Sequence, residues 1–259
     1  MSNGLLSGIY IYPVKSCGSI SVPEIHGDQS GLDGDRQWVF LGGGDNVLTQ
    51  RDYAKMALIQ PTLLNENGCK LQLEAPDMPP IKVEHRENKD QFCQIDLWDN
   101  DRSGFDQGDE IAAWISEYLK TEARLFYTKV DRSQDARYVD CSPLLVISEE
   151  SLDQLNTQVE EPVKMSRFRP SLVVKGLGEY VEDKATALTL GDVQLSGMKL
   201  CGRCVMINID QENGVLTGSE PLRTLSRYRK EGSKVMFGRY YECASDFDLA
   251  LGMAVSVDF

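Results

Sequence analysis

Residues 188–195 read Leu188-Thr189-Leu190-Gly191-Asp192-Val193-Gln194-Leu195. Two short apolar runs flank a Gly-Asp pair. Alternation sorts each run onto two faces, and glycine tolerates the positive φ that a two-residue hairpin turn requires. The same texture extends outward. Cys69, Leu71, Leu73 and Ala75 alternate with polar residues, as on a half-buried strand. Trp38 to Leu41 and Val47 to Arg51 flank residues 42–46, Gly-Gly-Gly-Asp-Asn, which predicts a hairpin with a five-residue loop. Val205, Ile207 and Ile209 alternate and predict a strand, with Asn213-Gly214 as a turn behind it. On that strand Cys204, Met206 and Asn208 would share the less apolar face.

Three segments predict helices. Ile111, Trp114, Ile115, Tyr118 and Leu119 form an apolar stripe, with Asp109 near its start as a cap. Leu152, Leu155 and Val159 follow Ser148. Pro221 stands where a first helical turn tolerates proline, before Leu222, Leu225 and Tyr228. The balance is a strand-rich α+β protein with a few short helices.

The chain has 259 residues, 41% of them hydrophobic, which suffices for one large core or two small ones. The polar segment Lys129 to Ala136 is the expected boundary between domains 1–130 and 131–259; its plainer alternative is a surface loop. Lys and Arg number 27 against 40 Asp and Glu, a net charge of −13. That balance argues against nucleic acid and anionic membranes, both of which select cations. Residues 1–14 carry no charged side chain and lack the cationic start and cleavage site of a signal peptide. A soluble, cytoplasmic protein with no membrane partner is expected. Seven cysteines at scattered spacing suit reduced thiols better than a disulfide framework. Two histidines, His26 and His85, leave little for a His-based metal site or a Ser-His-Asp triad.

Chemistry concentrates in three places. Cys201-Gly202-Arg203-Cys204 is a CxxC without a second CxxC or a neighbouring histidine, so a structural zinc site is not expected. Arg203 beside Cys204 favours a thiolate, the metal-binding form; the alternative is a buried, inert thiol. Lys15-Ser16, Arg36, Arg51, Arg167 and Arg169 follow strand-like or glycine-rich stretches, where they can converge on an anion such as phosphate. Each can equally be a surface ion pair. Tyr138-Val139-Asp140-Cys141-Ser142-Pro143 precedes an apolar run; Asp140 is a proton donor, a polar anchor or a turn residue. The tyrosines show no periodic pattern and read as core and surface filler.

In chain order, the motifs are Ile11-Tyr12-Pro13-Val14-Lys15-Ser16-Cys17, Gly34-Asp35-Arg36-Gln37-Trp38, Ser142 to Ser148, Phe168-Arg169-Pro170, Cys201 to Cys204 with Asp210 and Asn213-Gly214, and Glu220-Pro221-Leu222. Together they resemble a MOSC-domain molybdenum cofactor protein with the MOSC N-terminal β-barrel domain. The resemblance runs from about Leu5 to the C-terminus and is nearest to the mitochondrial amidoxime-reducing component and bacterial YcbX-like proteins. It implies two domains, an N-terminal β-barrel-like one and a C-terminal MOSC β-barrel, with a molybdenum cofactor (Mo-molybdopterin) between them. It implies Cys204 as the protein thiolate on molybdenum. Lys15, Ser16, Arg36, Arg169 and Arg203 would hold the pterin and its phosphate. Asp140, Cys141 and Ser142 would line the metal's substrate side, with Asp140 handling protons.

The chain departs from these relatives in lacking the C-x₄-C-x₂-C run of a ferredoxin domain, in beginning almost at the first barrel strand, and in having Ser171 where mitochondrial relatives have Asn. The resemblance implies a reductase of N-hydroxylated compounds: amidoximes, hydroxylamines or N-hydroxylated base analogues. Without a flavin fingerprint or a haem-type His pair, its electrons are expected from a separate ferredoxin-like or cytochrome b5-like protein with a flavin reductase. The alternatives are a non-catalytic cofactor carrier or sulfur-relay protein, and a metal-free dithiol protein using Cys201 and Cys204.

Overall fold

Ala187–Leu190 and Val193–Arg203 pair antiparallel across a turn in which Gly191 has φ 59°. The computed structural model describes residues 4–44, 46–65, 68–87, 92–97, 101–128, 137–139 and 141–259. Around that hairpin a sheet closes on itself. Its order is Leu144–Ser148, Leu172–Lys175, Gly4–Ile11, Ala254–Asp258, Ala187–Leu190, Val193–Arg203 and Lys234–Glu242; the last pairs back onto the first, making a seven-strand barrel. Closure leaves these seven strands without a bare edge. Leu6, Ile9, Ile11, Val146, Leu172, Leu188, Leu195, Tyr241 and Val255 fill the interior. The barrel needs both ends of the chain, since Gly4 pairs with Val255 and Leu5 with Ala254. Among the seven barrel strands, Leu144–Ser148 and Leu172–Lys175 are the one parallel pair. Parallel neighbours need a crossover, and the helix Glu149–Asn156 lies in it, with the Ser148 hydroxyl accepting from Ser151 N–H as a cap.

Residues between the first two barrel strands build a second core. Trp38–Gly42, Ala123–Tyr127, Asp101–Asp106 and Phe92–Asp96 form an antiparallel sheet, and Gln60–Leu63, Lys70–Glu74 and Ile81–Glu84 another. The helix Asp109–Leu119 lies over them. Asp109 and Glu110 complement the dipole of its first turn, while its predicted apolar stripe is buried throughout. Each such side chain contributes about 1.5–3 kcal/mol on burial. Trp114 also donates its indole N–H to Pro79 O at 2.7 Å. Trp114→Ala would cost about 3–5 kcal/mol by leaving a cavity.

Several sequence expectations are corrected. Trp38–Gly42 pairs with Ala123–Tyr127, and Val47 to Arg51 is no partner strand; a single bridge, Leu41 to Val47, joins the two stretches. Val205–Asn208 is a 3₁₀ helix, followed by a two-residue strand at Ile209–Asp210. Tertiary bonds override the alternation: Asn208 is buried, its Oδ1 accepting from Leu222 N–H at 3.0 Å and its Nδ2 donating to Gly218 O at 3.3 Å. Cys204 and Asn208 therefore share no strand face. The helix after Pro221 is one turn, Leu222–Leu225, with Tyr228 beyond it.

Candidate functional site

The run from Ile11 to Cys17 passes from one core to the other. Ile11 is buried in the barrel, whereas Val14 and Cys17 are buried in the second core. Lys15 and Ser16 are thereby fixed at the junction. A cavity of about 690 Å³ opens there. Its wall brings together Lys15, Ser16, Arg36, Cys141, Ser142, Arg169, Arg203 and Cys204 from five separate parts of the chain. Asp140 lies outside the described residues.

Tyr12 organises the cationic side. Its ring lies between two guanidinium groups, 4.2 Å from Arg169 and 4.8 Å from Arg36. Its N–H donates to Asp35 Oδ1 at 2.7 Å, and its hydroxyl donates to Pro170 O at 3.1 Å. One residue thus ties down the loop before Arg36 and the loop after Arg169. Arg169 donates to Cys17 O at 2.6 Å, Lys15 Nζ donates to Tyr138 O at 3.1 Å, and Arg36 pairs with buried Asp35. Burial pushes the Tyr12 phenol up to about 12 and holds Arg169 below the usual guanidinium range, with Arg36 adding to the latter effect.

The backbone is strained at the same place. Six non-glycine residues among those described have positive φ, and three line this cavity: Ser16 at 65°, Arg36 at 49° and Arg169 at 53°. Such conformations cost of order 1–3 kcal/mol each and persist where surrounding bonds dictate them. Eight Lys and Arg residues line the described wall against one carboxylate, Glu231. In a chain of net charge −13, that local surplus favours an anion.

The sulfur side is built on Val193–Arg203. Cys204 lies between the end of this strand and the 3₁₀ helix Val205–Asn208, half-buried on the cavity wall. Arg203 fixes the turn by donating Nε to Phe237 O and Nη1 to Phe168 O, both at 2.8 Å. Its Nη2 is buried and has no hydrogen-bond partner among the described residues. Gly238 makes room beside it. Its φ is 75°, and a Cβ there would come within 2.7 Å of Ile147 and 2.9 Å of Val146 O. Cys201 is buried and donates its S–H to the Tyr240 hydroxyl at 3.2 Å. Ser142 donates to Tyr241 O at 3.1 Å.

Arg51 and Arg167 also reach the wall; Arg167 is held to Asp210 at 3.1 Å. Thr49, Lys199, Lys234 and Tyr240 line it without having been singled out by sequence. Tyr12 and Tyr240 are more than the filler expected of the tyrosines. Tyr12 carried a local signal, its place between a strand and Pro13-Val14-Lys15-Ser16; Tyr240 carried none.

Comparison with known proteins follows the same division. Residues 3–122 match the MOSC N-terminal beta barrel domain and residues 133–256 the MOSC domain. Mitochondrial amidoxime reducing component 2 of Rattus norvegicus is 35% identical over 281 aligned residues, covering 96% of this chain and 82% of that protein. Mitochondrial amidoxime-reducing component 1 of Homo sapiens is 32% identical, covering 92% and 78%. Molybdenum cofactor sulfurase of Oryza sativa subsp. japonica is 32% identical over 90% of this chain but only 32% of its own length. The first two are mitochondrial by name, which differs from the cytoplasmic location expected from the sequence. No described helix is long and apolar enough to cross a membrane. With two domain matches in chain order, and relatives above 30% identity over most of both partners' lengths, this chain belongs to the MOSC-domain family of the amidoxime-reducing components.

Proposed function

We propose that this chain is a molybdenum-cofactor-dependent reductase of N-hydroxylated compounds. The observation that carries the reading is a single cavity combining a cysteine thiol with a cationic wall in an otherwise acidic protein. The residues fit the cofactor. Cys204 offers a soft donor for a soft metal. Lys15, Arg36 and Arg169 offer charge to a phosphate, and the orphaned Arg203 Nη2 is a buried donor awaiting an acceptor. Among the described residues no three His, Cys, Asp or Glu side chains gather into a protein-only metal site. A metal on Cys204 would thus take most of its ligands from a cofactor.

When bound, the cofactor would supply the two electrons that, with two protons from solvent, turn an N–OH group into N–H and water. The protein's share is to hold it and to orient the substrate. Lys15, Ser16, Arg36, Arg169 and Arg203 hold the pterin and phosphate, Cys204 the metal. Cys141, exposed, and Ser142 offer the substrate a polar edge. Electrons come from a separate ferredoxin-like or cytochrome b5-like protein served by a flavin reductase. Exposed Lys199 and Lys234 at the cavity mouth give an acidic partner a place to dock.

Protein from a host that makes the cofactor should contain molybdenum and reduce benzamidoxime to benzamidine with a chemical reductant. The second reading, a cofactor carrier or sulfur relay, is favoured by the similarity to the rice sulfurase. It predicts molybdenum without turnover, and ready release of cofactor to an apoenzyme. Absence of molybdenum would overturn both readings.

A further inference from the structure

Four described hydroxyls line the cavity: Ser16, Thr49, Ser142 and Tyr240. Thr49 donates to Asp52 Oδ2 at 3.0 Å and Ser142 to Tyr241 O. Ser16 belongs to the cation loop beside Lys15. Tyr240 is different. It stands on the barrel strand Lys234–Glu242, opposite Leu145 of the neighbouring strand. Its oxygen accepts the Cys201 S–H at 3.2 Å, and among the described residues its own O–H has no acceptor. It shares this stretch of wall with Cys141, Cys201 and Arg203. Burial raises its pKa, so the phenol stays neutral and keeps its proton.

We infer that Tyr240 presents this O–H to the oxygen of the N-hydroxylated substrate, held in orientation by Cys201; the inference rests on the reductase reading above. Reduction of an N–O bond moves charge onto the departing oxygen. A fixed donor at that atom stabilises the developing charge more than it stabilises the ground state. The amidine or amine product lacks the oxygen, so the same contact separates substrate from product. Cys201 acts through Tyr240. By occupying one side of the phenol oxygen with its S–H, it leaves the O–H to point into the cavity. The first cysteine of the CxxC motif, Cys201, then has work that requires no metal bond.

The test uses holoprotein with Tyr240→Phe, Cys201→Ala and Cys201→Ser, each checked for molybdenum content and thermal unfolding. Tyr240→Phe should keep its molybdenum and lower kcat/KM for benzamidoxime by on the order of tenfold to hundredfold. Calorimetry on the oxidised protein should show weaker binding of benzamidoxime and unchanged binding of benzamidine. Cys201→Ala should give a smaller loss, restored in part by Cys201→Ser, whose hydroxyl can also donate. Cys201→Ala added to Tyr240→Phe should cost nothing further, because both act on one hydrogen bond. Wild-type constants in Tyr240→Phe, or equal weakening of benzamidoxime and benzamidine, overturn the assignment of Tyr240 alone. A wild-type chain that carries molybdenum and reduces no N-hydroxylated compound overturns the reductase reading and this inference with it.

Discussion

Two hollows of the molecule begin one residue apart. Tyr12 braces the cationic cavity, while Ile11 lines an open groove of about 1040 Å³ with Val22, Ile25, Leu63 and Met253. The groove is the larger. Yet none of its lining residues is a non-glycine in the left-handed region, and its charged lining consists of Glu24, Asp33 and Asp248, with His26 paired to Asp248 at 3.0 Å. The cavity instead holds strained backbone, buried Lys15 with half-buried Arg36, Arg169 and Arg203, and a thiol. Volume is what remains between packed elements. Strain and buried charge carry a cost, so their co-location, and not volume, singles out the cavity as the candidate site.

Substitutions separate the two regions most sharply at sulfur. Cys204→Ser should abolish benzamidoxime turnover and leave the fold intact, because a hydroxyl replaces thiolate poorly on a soft metal. Cys201→Ser should be milder. Equal loss in both would favour a dithiol and break the single-ligand assignment. Next come the cations. Arg36→Ala should weaken cofactor retention by about 1.5–3 kcal/mol, the value of a charge-assisted hydrogen bond. Val22→Ala in the groove should leave molybdenum content unchanged. Similar molybdenum loss from both variants would erase the distinction.

A subtler substitution sets strain against function. Ser16→Gly accepts the same φ of 65° without penalty. Apoprotein stability should rise by about 1 kcal/mol, seen as a higher Tm, while cofactor retention falls. A lower Tm would show that the Ser16 side chain stabilises the fold. The smallest effect belongs to the groove. The Asp248 hydrogen bond raises the pKa of His26 above its ordinary value. The folded state therefore binds that proton more tightly. The resulting stability is complete below the unfolded imidazole value near 6.5 and disappears as pH rises through the raised folded value. The pair is exposed, so the change should stay under about 1 kcal/mol. Unfolding measured at pH 6 and pH 8 should show that decline in wild type and not in Asp248→Asn.

Local order in the sequence matched local structure where packing agreed with it. The Gly191 hairpin, the strand around Leu71 and Leu73, and the helix carrying Trp114 each show one clear period and one buried face. Barrel closure was not legible, because pairing between residues near 5 and near 254 leaves no trace in either segment alone. Val205 to Ile209 misled because alternation over five residues is weak against the bonds that bury Asn208. For the cavity, lining residues in compact motifs, such as Lys15 and Cys204, could be named in advance. Tyr240 could not, since its meaning depends on a sulfur 39 positions away.

The seam between Gly4–Ile11 and Ala254–Asp258 sets the order of events during synthesis. The first strand leaves the ribosome early and waits, with a bare hydrogen-bonding edge, for a partner that emerges much later. Until then the barrel stays open, and the Ile11 to Cys17 run has no fixed barrel wall from which to aim Lys15 and Ser16. Truncated or still-growing chains therefore present an aggregation-prone edge and an unformed pocket.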